Sequence, residues 1–176
     1  ILSVFTGIVV SLIPNLTQSV VKKEKEDVNK KINQALSILL FFTIPMTMGI
    51  SFLSSDIWNV FYGSSTYGPS VLAYYIFLGL IIGLFTATVS IVQVLKDYKT
   101  VIFSLFIGVV LKFLLNNNLM VAFVKMGLPA YYGVITASLI GYFVSFLICI
   151  IKLKIKYKVN YEEFGKNFID TICGAM

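Results

Sequence analysis

Four long apolar runs, over residues 34–54, 71–95, 101–124 and 130–153, are joined by connections too short to form a domain, and nearly every charge lies outside them. At 1.5 Å rise per residue each run is long enough to cross a hydrocarbon core of about 30 Å. A segment in lipid must satisfy its own backbone hydrogen bonds, so runs of this length are expected as helices and the chain as an all-α, polytopic membrane helix bundle. Composition agrees: 58% of the 176 residues are hydrophobic and 12% charged, against about 45–50% and about 25% in soluble domains. One water-soluble core could not hide that excess.

The same residues exclude several kinds of chemistry. Histidine is absent, and Cys149 and Cys173 are separated by 23 residues without neighbouring ligands, so no metal site, Cys-His nucleophile or disulfide framework is expected. Glu162 and Glu163 are adjacent and therefore point to different sides of a helix, which makes them unsuitable as a catalytic pair. No cofactor is expected, and the chain does not read as an enzyme. The formal net charge of +6 comes from lysines clustered between apolar runs, with no stripe interleaved with aromatics, so nucleic acid is not an expected partner.

The clusters report topology instead. Counting from the linker 21–33, successive connections carry five, zero, two, one and four lysines. High counts alternate, which places the linker, the 96–99 connection and the segment 154–167 in the cytoplasm by the positive-inside rule. Residues 1–20 are expected to be a truncated span and 168–176 the start of a further one, so that 1–176 is a single membrane-domain fragment. Trp58, Tyr62 and Tyr67 mark the opposite interface, where no lysine occurs.

Small residues recur at every fourth position: Ser3, Gly7 and Ser11; Gly79, Gly83 and Ala87; Gly133, Ala137, Gly141 and Ser145. That spacing lays a groove along one helix face, and tight helix contacts are expected at Gly79, Gly83, Gly133 and Gly141. One charge breaks the pattern. Lys112 lies near the middle of the fourth run, where an ammonium costs about 2.5–3.5 kcal/mol on insertion scales. Steps of four place Ser104, Gly108, Lys112 and Asn116 on one polar, small-residue face. The functional reading is a cationic site for an anionic group such as phosphate; the structural one is a lysine held by backbone carbonyls or an unseen carboxylate at a helix break near Asn116, Asn117 and Asn118.

An ordered set of features now suggests a family. An apolar run ends in Ser11-Leu-Ile-Pro-Asn-Leu-Thr-Gln-Ser19, and a charged linker leads to a span with Ile44-Pro45-Met-Thr-Met-Gly49-Ile50. A short aromatic turn, Trp58-Asn-Val-Phe-Tyr-Gly63, precedes a Gly-rich span, a span with Leu111-Lys112 and Asn116, and a small-residue helix from near Gly133. The pattern resembles the MurJ/MviN lipid II flippases and the related SpoVB-like polysaccharide exporters of the MOP superfamily, over the second to sixth helices of their C-terminal lobe. The resemblance implies a multi-pass protein of the bacterial cell membrane that flips a lipid-linked saccharide, lipid II or another undecaprenyl-diphosphate-linked oligosaccharide, by alternating access. The implied partners are that substrate, the membrane lipids and a missing N-terminal lobe of the same chain; oligomeric state is left open.

On this reading Lys112, Asn116, Ser104 and Gly108 bind the substrate, with the diphosphate as the anionic handle. Two alternatives stand beside it. A MATE-like cation-coupled multidrug exporter would share the architecture but favour an acid in its cavity, and no carboxylate occurs inside the four complete spans. A non-transporting membrane scaffold of envelope synthesis would neutralise Lys112 with a buried partner and have no cavity.

Overall fold

The computed structural model describes residues 2–159 of the chain. They form six helices, α1 (Leu2–Val21), α2 (Lys25–Phe52), α3 (Ser54–Tyr62), α4 (Gly68–Val94), α5 (Tyr98–Lys125) and α6 (Ala130–Tyr157), and no strand occurs among them. The architecture is the expected all-α membrane bundle. Helices α2, α4, α5 and α6 are each long and apolar enough to cross a membrane, and at 27–28 residues they measure about 40 Å, longer than the hydrocarbon core alone. Residues 160–176, which hold most of the segment expected in the cytoplasm and the expected start of a further span, lie outside the described residues.

Helix α4 is the hub, in contact with every other helix, while α5 packs chiefly on α6 and the backbones of α1 and α2 pack on α4 instead of on that pair. The reason lies in the faces. On α2 the buried positions Ile32, Leu36, Leu39, Leu40 and Ile44 follow the three-and-four spacing of one helical stripe. They meet Leu84, Ala87, Ile91 and Val92 of α4 in one core, which continues to Phe146, Cys149 and Leu153 of α6. Much of α5 faces outward, with Phe103, Phe106, Val109 and Phe113 exposed. Apolar exposure of this kind suits a lipid environment.

The charged stretch 22–31 is a turn at 22–24 followed by the opening of α2, which continues unbroken into its apolar part. Four groups tie it to α1: the Ser19 hydroxyl donates to Asp27 Oδ2 at 2.5 Å, and Lys31 Nζ donates to Ser19 Oγ at 2.6 Å and to the Asn15 carbonyl at 3.1 Å. Lys31 also pairs with Asp27 at 2.9 Å. The aromatic segment after α2 is a nine-residue helix, not the short turn expected. Gly63 stops it with a positive φ of 77°, and Gly68 begins α4 directly beneath the Trp58 ring, where a Cβ would overlap the indole.

A second polar tie joins the ends of α4, α5 and α6. Asp97, 9% exposed, precedes α5 and accepts from Lys156 Nζ at 2.8 Å, while the Tyr157 hydroxyl donates to the Leu95 carbonyl at 3.3 Å. The Lys156 hydrogen bond holds the Asp97 carboxyl below its ordinary value. A depressed folded-state pKa contributes stability that is present above the unfolded value, near 3.9, and is lost as pH falls through the folded one. Thermal stability in detergent is expected to be independent of pH near neutrality, where the pair contributes in full, and to decline below about pH 4. Asp97→Asn should lower stability at pH 7 and flatten that acid limb. An unchanged acid limb in the variant would show that Asp97 is not responsible.

Candidate functional site: the groove between α5 and α6

Helices α5 and α6 form an antiparallel pair joined by a short turn in which Gly127 takes a φ of 78° and Pro129 precedes the first residue of α6. Their backbones approach closely because three glycines carry no side chain at the crossing. A Cβ on Gly108 would lie 2.7 Å from the Gly141 carbonyl oxygen and 2.0 Å from Ser145 Oγ; one on Gly141 would lie 2.7 Å from the Gly108 carbonyl oxygen and 3.3 Å from Lys112 Cβ. One on Gly133 would meet the Met120 backbone at 2.6 Å. Gly83 is buried within α4. Gly79 departs from expectation: nothing lies within 4 Å of the position its Cβ would take, so no described helix packs tightly against it.

The crossing is locked by hydroxyls. Ser145 Oγ donates to the Ser104 carbonyl at 2.8 Å, with the Gly141 carbonyl of its own helix at 3.0 Å. Ser104 Oγ donates to the Val101 carbonyl at 2.9 Å and accepts from Cys149 Sγ at 3.3 Å. Backbone contact and buried hydrogen bonds thus occupy the lower half of the α5 stripe.

Beyond Gly108 the two helices leave a groove of about 450 Å³. Its α5 wall includes Gly108, Lys112 and Asn116, and its α6 wall includes Ser138, Tyr142 and Ser145. Three of the four residues singled out on the stripe therefore line one opening, and Ser104 lies behind it with no exposed surface. Helix α5 continues without a break through Asn116, Asn117 and Asn118; the last two are exposed, and Asn118 Nδ2 bonds back to the Leu114 carbonyl at 3.2 Å.

Lys112 is exposed in the groove and has no hydrogen-bond or ion-pair partner among the described residues. Asn116 Oδ1, one turn on, is a buried acceptor with no partner. A buried carbonyl oxygen without a donor is costly, by about 1–3 kcal/mol. Together they present a point charge with three N–H donors and a neutral amide, a pair suited to an anion that also carries hydroxyl groups. No group of three or more His, Cys, Asp or Glu side chains that could hold a metal occurs among the described residues.

Sequence reasoning missed the opposite wall. Ser138 and Tyr142 follow the small-residue positions Ala137 and Gly141 by one residue, so they flank the packing stripe. That adjacency was the available signal: a side chain next to a close-packed ridge borders any gap that opens beside it.

Comparison with known proteins adds an independent line. The family model described as lipid II flippase MurJ matches residues 2–171. A curated relative, the lipid II flippase MurJ of Bacillus subtilis (strain 168), is 34% identical over 171 residues, covering 95% of this chain and 30% of the relative. The chain thus spans less than a third of that relative's length. No solved structure gives a significant match.

Proposed function

Because this chain belongs to the lipid II flippase MurJ family, we propose that it is part of a bacterial cell-membrane transporter that moves a lipid-linked saccharide between leaflets by alternating access, without covalent change to the substrate. The observation that carries the proposal is the family match across residues 2–171. The α5–α6 groove supports a role for this segment in holding the head group. In that role Lys112 and Asn116 contact the diphosphate and the adjoining sugar, Gly108 keeps the groove floor open, and Ser104 fixes the wall to α6 through Ser145 and Cys149. Among the described residues the α5–α6 pair packs on the rest of the bundle mainly through α4, an arrangement that lets the pair rock as a unit.

The test is transport itself. Vesicles containing the whole transporter of which this segment is part, together with a fluorescent undecaprenyl-diphosphate-linked saccharide, should expose the probe to an external hydrolase beyond the fraction initially in the outer leaflet. Exposure equal to that of protein-free vesicles would overturn the proposal.

Orientation follows from the same reading. The lysine-bearing ends of α1, α2, α4 and α6 converge, since Lys23, Lys25, Leu95, Lys156 and Lys158 line one groove. With that end cytoplasmic, 55–69 and 125–129 are external. In a background lacking Cys149 and Cys173, Ser64→Cys should react with an impermeant maleimide in intact cells. Labelling of Ser64→Cys only after permeabilisation would invert the topology.

A further inference from the structure

The lysine-rich end carries a second groove, of about 480 Å³, between the α1–α2 turn and the end of α6. We propose that it seats the headgroup of an anionic glycerophospholipid, with the phosphodiester among Lys23, Lys25 and Lys158. Among the described residues none of these three ammonium groups has a hydrogen-bond or ion-pair partner, and Glu26 is the one carboxylate that lines the groove. The fourth lysine of the rim, Lys156, is already held by Asp97. The described lining is therefore net positive, which is the charge complement of a phosphodiester and the opposite of what a quaternary-ammonium headgroup requires.

The floor separates a lipid from a free anion. It is formed by Val20, Val28, Leu95 and Val159 with the Tyr157 ring, apolar surface that inorganic phosphate cannot use but that the glycerol esters and first methylenes of a phospholipid cover. Location agrees, because the groove lies where the apolar spans give way to charged turns, at headgroup depth. Basic pockets between membrane helices at this level recognise acidic headgroups, and each lysine near the anionic surface contributes about fivefold to binding. The site is distinct from the α5–α6 groove and does not depend on Lys112.

The experiment is native mass spectrometry of the purified protein in detergent, titrated with dioleoylphosphatidylglycerol or dioleoylphosphatidylcholine. The wild type should retain phosphatidylglycerol selectively, and millimolar inorganic phosphate should not displace it. Joint replacement Lys23→Gln, Lys25→Gln and Lys158→Gln should weaken retention by at least about tenfold, while the matching Lys→Arg replacements keep it. Glu26→Gln, which removes the opposing carboxylate, should tighten it and serves as the test should the triple variant fold poorly. Unchanged retention in the Gln variants, equal retention of phosphatidylcholine, or displacement by phosphate would each overturn the assignment, the last in favour of a free-anion site.

Discussion

Lys112→Met should insert and fold at wild-type levels yet lose transport by about 10–100-fold, the effect of removing one charge-assisted hydrogen bond of about 1.5–3 kcal/mol. The separation of folding from function is the informative part. A mid-span ammonium opposes membrane insertion by about 2.5–3.5 kcal/mol, and no described residue pairs with Lys112, so its replacement by an apolar chain of similar length removes a cost and breaks no contact. If the lysine were structural, the variant would be destabilised. Lys112→Arg should keep part of the activity because the charge survives, although a planar guanidinium differs in reach from a compact ammonium. Reconstituted flipping by Lys112→Met at the wild-type rate would sink the assignment.

Gly141→Leu should give a large loss of folded protein. The first atom of any side chain there falls 2.7 Å from the Gly108 carbonyl oxygen. That neighbour is backbone and cannot rotate away, so α5 and α6 must separate, breaking the Ser145–Ser104 and Cys149–Ser104 hydrogen bonds. Overpacking of tight contacts costs about 1–3 kcal/mol even for modest additions, and a four-carbon side chain exceeds that range. Fluorescence-detected size exclusion should show little monodisperse protein. Gly79→Ala provides the contrast, because open space surrounds it. A methyl at that position should be neutral or stabilising by up to about 1 kcal/mol, as expected for Gly to Ala within a helix. Equal behaviour of the two variants would contradict the packing described here.

Taken alone, the sequence determined the class of structure: runs such as 71–95 and 130–153 admit only helices in lipid, because no solvent is present to satisfy an irregular backbone. The four-residue spacing of Ser104, Gly108, Lys112 and Asn116 likewise places them on one α5 face whatever the neighbours are. Helical periodicity defines a face but does not say what the face meets. Gly79 and Gly141 belong to equally regular small-residue stripes, yet Gly141 has a helix across it, because α5 crosses α6 at that point, whereas no described helix packs against α4 at Gly79. The same crossing divides the α5 stripe, closing over Ser104 and leaving Lys112 and Asn116 in a groove whose other wall, Ser138 and Tyr142, comes from a helix more than twenty residues away in sequence. Lysines 23, 25 and 158 are similarly distant along the chain, and they line one site only because the turn after α1 and the end of α6 meet at the same end of the bundle. Such juxtapositions depend on where helix axes cross, and the crossing is set by backbone approach at a few glycines, a property of pairs of helices that no single stretch of sequence contains.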